Sequence, residues 1–298
     1  MLQKTEKIAY FYVGLAILFW GSTASVAKLL LGGVTNIQLM FYSFQFSIMA
    51  LFLLVVCQRK LQLYKEYTRK DYLRMIMMGF IGCYLYYVFF FGALMYAPAQ
   101  EAFIVNYLWP VLVVVFGFLI LKEILSLTKI FGIVLSFFGV YVVITQGNIF
   151  NFTFTNIPAD LLAIFGAVSY ALFSVLGKKY NYEVYTSMLV YYASGFVCVF
   201  ITTLLFSTVP SLSLSQWIGI AWIGVVTNVF AFVCWFKALE YGDTSKMANL
   251  IFLTPFVSLI YIYFILNEQI LVSSFVGLVL IVVGVLVQTK ISRSQQKL

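Results

Sequence analysis

Long apolar runs separated by short polar stretches set the rhythm of this chain. Ten such runs can be read, at roughly 8–30, 36–57, 72–94, 98–121, 128–145, 159–177, 185–206, 216–238, 244–266 and 272–289. Each approaches the ~20 residues an α-helix needs to cross a hydrocarbon layer. None alternates apolar with polar residues as a membrane strand would, so the pattern predicts helices throughout. Two connections are longer than the rest. The segment 58–71 reads as a short amphipathic linker, and 147–158 (GNIFNFTFTNIP) joins the two halves of the chain. The latter holds one glycosylation sequon, Asn151-Phe152-Thr153.

The runs repeat. Adding 145 carries Phe91, Ala93, Leu94 and Tyr96 onto Phe236, Ala238, Leu239 and Tyr241. The same step carries Pro110 onto Pro255, Glu123 onto Glu268, Gly132 onto Gly277 and Gly139 onto Gly284. Nearer the amino end a step of 150 carries Tyr42 onto Tyr192, Trp20 onto Tyr170 and Lys28 onto Lys178. A chain that matches itself over half its length is two copies of one unit. The expected division is 1–146, 159–289 and a tail, 290–298.

Charge orients the copies. The chain is 63% hydrophobic and 9% charged, with mean hydropathy +1.03. A water-soluble domain could not bury that much apolar surface, so lipid must be its solvent. A net charge of +8 would suit a nucleic-acid partner, but the basic residues are scattered among short connections. With the amino terminus in the cytoplasm, every Lys and Arg except Lys28 falls on the cytoplasmic side, as the bias of membrane proteins demands. Both termini are then cytoplasmic, and no cleavable leader precedes the first run. Five spans per copy is an odd number, so the copies enter the membrane from opposite faces. The expected fold is an all-α membrane protein of ten transmembrane helices arranged as two inverted five-helix repeats, with a substrate site between the copies near mid-depth.

Few polar residues stand inside the runs. Glu101 lies in the first turn of the fourth. A carboxylate there has an ordinary explanation, because first-turn N–H groups lack partners and carry the positive end of the helix dipole. It also has a functional one: an acid within a span is costly, and serves as a gate, a contact for a substrate amine or a proton carrier. Pro110 breaks the same run at its middle, leaving the Asn106 carbonyl without its usual N–H partner. Asn106 itself could bond a neighbouring helix, at ~0.6 kcal/mol, or hold one end of a zwitterion. Asn228 and Asn249 pose the same choice and read first as bonds between helices. Lys28 reads as snorkelling to outer headgroups. Trp20, Tyr84, Tyr107, Trp109, Tyr170 and Trp235 are aromatic residues that could stack on an apolar substrate, although most aromatic residues here serve packing or the interfacial belts. Glu123 and Glu268 close their spans and read as end markers.

Enzyme signatures are missing. There is no histidine, which removes Ser-His and HExxH chemistry. Asp71, Asp160 and Asp243 all stand at span ends, so no buried acid pair is expected. No glycine loop with lysine cradles a phosphate. Cys57, Cys83, Cys198 and Cys234 lie in apolar runs without metal or disulfide spacing. No catalytic residue, metal or cofactor is expected.

The Tyr-x13-Pro-x12-Glu spacing in both halves, the opening LFWGSTASVAK (18–28) and the glycine pattern GIVLSFFGVYVV (132–143) resemble the drug/metabolite transporter superfamily in its EamA-type ten-span branch. The segment from Glu101 through Asn106-Tyr107-Leu108-Trp109-Pro110 is similar to the NYLWP segment of bacterial aromatic amino-acid exporters. The resemblance implies an inner-membrane carrier that exports small metabolites, amino acids included, by alternating access. Glu101, Asn106 and Asn249 would hold the polar ends of the substrate. Tyr107, Trp109, Trp20 and Tyr84 would line its apolar part, and Pro110 and Pro255 would shape the helix bends. The alternatives are an importer or exchanger of nucleotides, sugars or S-adenosylmethionine-like compounds from the same superfamily, a channel, or an intramembrane enzyme. The expected partners are a small-molecule substrate and the bilayer, not nucleic acid, with the chain a monomer or a homodimer.

Overall fold

The computed structural model describes residues 2–148, 150, 156–208, 210–242, 247 and 250–295. Regular structure among them is helical. Eight helices are long and apolar enough to cross a membrane: α1 (Glu6–Leu31), α2 (Asn36–Cys57), α3 (Arg69–Tyr96), α4 (Ala99–Leu121), α5 (Leu127–Ile144), α6 (Ile157–Tyr180), α7 (Val184–Phe206) and α8 (Leu214–Tyr241). Two shorter apolar helices follow, α9 (Ile251–Leu266) and α10 (Val272–Val287). Together they account for the ten apolar runs. The chain is a multi-pass, all-helical membrane protein.

The repeat is visible in the backbone. α3 starts behind Thr68, whose hydroxyl accepts from the Asp71 N–H while the Asp71 carboxylate accepts from the Thr68 N–H. α8 starts behind Ser213, 145 residues on, with Gln216 in the reciprocal role. These capping boxes place the helix starts a few residues ahead of the apolar runs. Both helices then widen into a π-helical stretch, Phe80–Leu85 in α3 and Trp222–Phe230 in α8. Both finish as eleven-residue α-helices, Tyr86–Tyr96 and Ala231–Tyr241. α4 and α9 are interrupted in the same way, since the thirteen-residue helices Trp109–Leu121 and Thr254–Leu266 each carry proline in the first turn. Each ends at a left-handed residue, Lys122 at φ 57° and Asn267 at φ 53°.

Two compact units are formed, and each draws on both halves of the sequence. The first contains residues 1–84 and 183–267, the second 85–182 and 268–298. In the first, α1 packs on α8 and α9, and α2 on α7. Gly79 and Gly224, which the repeat superimposes, let helices touch here. A Cβ on Gly79 would lie 2.4 Å from the Tyr191 carbonyl oxygen, and one on Gly224 would lie 2.4 Å from that of Ser43. In the second unit, α6 packs on the last part of α3 and on α4, repeating the α1 arrangement. There α5 and α10 cross through four glycines. A Cβ on Gly139 would meet the Gly277 carbonyl at 2.6 Å, and one on Gly284 would meet that of Gly132 at 2.5 Å. As one number falls the other rises, so these equivalent helices are antiparallel. Small residues allow such close backbone approach where lipid supplies no hydrophobic drive.

The acids that end the repeated spans confirm the inversion. Glu123 follows the carboxyl end of α4. Its mate Glu268 accepts from the N–H groups of Ala99 (3.0 Å) and Gln100 (3.4 Å), at the amino end of the same helix. Equivalent residues thus sit at opposite ends of one span, about 35 Å apart at 1.5 Å per residue.

The linker before α3 contains a short 3-10 helix, Leu61–Lys65. It is fastened to the start of α7, where Tyr64 donates to the Thr186 carbonyl at 3.2 Å and the Tyr67 hydroxyl meets that of Thr186 at 2.7 Å. Burial, and then the neighbouring Tyr67, Tyr72 and Glu183, push the Tyr64 hydroxyl up to about 12, so it keeps its proton as a donor. Cys57, Cys83, Cys198 and Cys234 are free thiols.

Candidate functional site

α4 carries most of the polar marks, and its interruption decides where they point. The α-helix that begins at Ala99 ends at Asn106, and Tyr107 and Leu108 form a turn. Leu108 N–H reaches back to Val105 O at 3.1 Å, a three-residue step, before the helix resumes at Trp109 with Pro110 in its first turn. Proline fits there because first-turn N–H groups have no helical partner to lose. Glu101, Asn106 and Trp109 of α4 meet residues of α6.

Asn106 is buried, and its amide donates to the Ala163 carbonyl of α6 at 3.2 Å. Gly166 makes the approach possible, because a Cβ there would lie 2.7 Å from that amide nitrogen. Asn106 therefore ties α4 to α6. One turn beyond, aromatic rings gather. Tyr170 of α6 meets Trp109 edge-on with centroids 4.9 Å apart, and Tyr86 of α3 at the same distance. Trp109 also packs on Tyr107 at 6.2 Å. Tyr107 is buried, while Trp109, Tyr170 and Tyr86 keep part of their surface open. Tyr170 is thus joined to Trp109 directly and to Tyr107 through it, and Tyr86 is a member that hydropathy did not single out.

Nearer the amino ends of α4 and α6, Glu101 is 3% exposed and Asp160 5%. Their carboxyl groups face each other. This corrects the expectation that the aspartates, standing at span ends, would form no buried acid pair. Asp160 lies in the first turn of α6, but that turn packs beneath the start of α4 instead of opening to water. The signal in the sequence was the spacing of Asp160 from Asn156-Ile157-Pro158, a helix start that runs straight into an apolar span.

The N–H groups of residues 99 and 100, at the start of α4, are both taken by Glu268. The Gln100 side chain strengthens that joint, donating to Gln269 O at 2.9 Å and accepting from Leu271 N–H at 3.0 Å. Glu268 is accordingly a helix cap, more than the end marker its position suggested. Glu123 instead pairs with Lys178 at 2.7 Å, on a largely exposed lysine.

The remaining predicted residues belong to the first unit. Trp20 meets Phe232 at 4.9 Å and Trp235 at 6.4 Å. Tyr84 lies in the π-helical stretch of α3, and its hydroxyl meets that of Thr202 in α7 at 2.7 Å. Pro255 stands in the first turn of Thr254–Leu266. Asn228 is 1% exposed and donates to the Ser47 hydroxyl at 3.1 Å, a bond between α8 and α2. Lys28 occupies the last turn of Thr23–Leu31, the second part of α1 beyond a break at Ser22. Asn249, Asp243 and the Asn151 sequon lie outside the described residues.

Comparison with known proteins gives these features a setting. The model of the EamA-like transporter family matches twice, over residues 7–145 and 157–289. An uncharacterized transporter, YyaM, of Bacillus subtilis is 28% identical over 98% of this chain and 96% of its own length. An uncharacterized transporter of Archaeoglobus fulgidus is 26% identical over 93% and 96%. The aromatic amino acid exporter YddG of Ancylobacter novellus is 26% identical over 60% of this chain and 63% of its own length. One crystal structure of a protein superposes with a TM-score of 0.68 at 21% identity, covering 97% of this chain and 98% of that one, which supports the fold.

Proposed function

Given that this chain belongs to the EamA-like transporter family, we propose that it exports small organic metabolites from the cell, amino acids with aromatic or other large apolar side chains among them, by alternating access. The observation that carries the reading is the ring cluster of Trp109, Tyr170 and Tyr86, partly open and set one turn from the polar groups of α4. Aromatic faces hold apolar and aromatic cargo by dispersion and offset stacking. The likeness to an aromatic amino acid exporter over 60% of the chain points the same way. In this reading Trp109 and Tyr170 receive the side chain of the cargo, and Tyr107 backs them. Asn106, whose amide holds Ala163, fixes the α4 turn. Trp20, Tyr84 and Asn249 are further contacts to be tested. The distribution of basic residues supports an inner-membrane location with both termini cytoplasmic.

The test compares amino-acid pools inside and outside cells that overproduce the protein with those that lack it. Cells loaded with phenylalanine should release it faster when the protein is present. Trp109→Ala should slow that release about tenfold, as the loss of one good ring contact and its buried area implies. If overproduction leaves every amino-acid pool unchanged, the cargo has been misread.

A further inference from the structure

Asp160, at the amino end of α6, is placed in a way that the ordinary roles of a carboxylate do not explain. An acid in the first turn of a helix usually accepts from free backbone N–H groups. At α4 the amides of Ala99 and Gln100 are taken by Glu268. At α6 the Asn156 side chain accepts from Ala159 N–H at 3.2 Å and donates to the Tyr96 carbonyl at 2.7 Å. No N–H or O–H donor among the described residues reaches either oxygen of Asp160, which is 5% exposed. What faces it is the Glu101 carboxyl, itself 3% exposed.

Two carboxyl groups in contact form a hydrogen bond only when one of them carries a proton, because an ionised carboxylate is solely an acceptor. Buried like charges this close are among the least favourable arrangements in a protein. The charged and titratable groups around the pair come from each element packed on it. α4 contributes Glu101, the segment before α10 contributes Glu268 at the first turn of α4, and the hydroxyls of Tyr107, Tyr86 and Tyr170 lie farther along the helices.

We propose that Glu101 and Asp160 form a one-proton site, in which the two buried carboxyl groups share a single proton exchanged with water at the membrane face where α4 and α6 begin. Uptake changes the charge of the pair from −2 to −1 and needs no other reactant. The site does not rest on the transporter reading above.

Infrared spectroscopy of the purified chain in lipid nanodiscs tests the site without a cargo. At neutral pH the wild type should show a protonated-carboxyl C=O band that shifts in heavy water. Glu101→Gln and Asp160→Asn should each lose it, since either change removes the partner that holds the proton. Both substitutions are close to isosteric, and if one variant does not fold, the response of the other decides. Absence of the band from the wild type, or its survival in a folded variant, overturns the proposal. So does its disappearance when sodium chloride is added at fixed pH, which would make the pair a sodium site.

Discussion

α3 and α8 keep one design, whereas the acids Glu123 and Glu268 share a position in the repeat and no longer share a role. The two helices agree in their capping boxes, their π-helical stretches and their last residues, Tyr96 and Tyr241. Glu268 holds the start of α4, while Glu123 meets Lys178 at an exposed edge. Duplication has preserved what fixes the path of the backbone. Side chains at span ends have been free to change, because each meets a different neighbour in its inverted setting. α-to-π transitions are frequent at functional positions, and their retention in both copies marks the middle of α3 and α8 as a place where helix geometry itself is used.

The largest effects should come from the residues that the copies keep in common. A valine at Gly79 or at Gly224 would press its Cβ to 2.4 Å from a neighbouring carbonyl oxygen, which no rotamer relieves. Each substitution should cost about 3 kcal/mol or more and remove most folded protein from the membrane. The check is the yield of monodisperse protein after mild detergent extraction. Loss in one variant and full yield in the other would show that the two π-helical regions are not equivalent in packing. The divergent pair should respond unequally. Glu268→Gln weakens acceptance from two N–H groups at a helix start, at about 1–2 kcal/mol. Glu123→Gln removes an ion pair whose lysine is 70% exposed, and should change thermal stability little. Equal losses would mean that Glu123 also caps a helix.

Spans, repeat and inversion were legible because they follow from long-range hydropathy, a fixed offset and an odd number of crossings. Pro110 likewise announced an interruption, since its missing N–H acts whatever surrounds it. Other features depend on which helix covers which. Asp160 read as a span-end residue until α4 was laid across it. Glu268 read as a terminus until its carboxylate met amides 169 residues earlier in the chain. Asn106 carried two readings, and only the fold could show that its amide meets the Ala163 carbonyl. The π-helical stretches left no mark in hydropathy, because a one-residue widening keeps the same apolar face. Aromatic candidates were too numerous to sort by sequence, and Tyr86 joined them only through Tyr170.

The smallest expected effect sharpens the comparison between α2 and α7, which the repeat also relates. α2 starts behind Thr35, a neutral cap that exchanges bonds with Gln38. α7 starts behind Glu183, whose carboxylate accepts from Thr186 N–H at 2.9 Å and pairs with Lys60 at 2.8 Å. Burial works to raise Glu183, but the Lys60 ammonium and the Thr186 donors outweigh it and hold the carboxyl below its ordinary value. A group depressed in the folded state stabilises fully above its unfolded pKa and loses that contribution as pH falls through the folded one. The wild type should therefore exceed Glu183→Gln in stability by about 1 kcal/mol at neutral pH, and the gap should close as pH drops through the carboxylate range and below. Thr35→Ala, which removes a neutral cap, should cost the same amount at neutral and acid pH. Thermal unfolding of the three proteins across that range makes the measurement. A Glu183→Gln gap that stays constant with pH would show that the bond geometry at α7, and not the charge, is what the second copy gained.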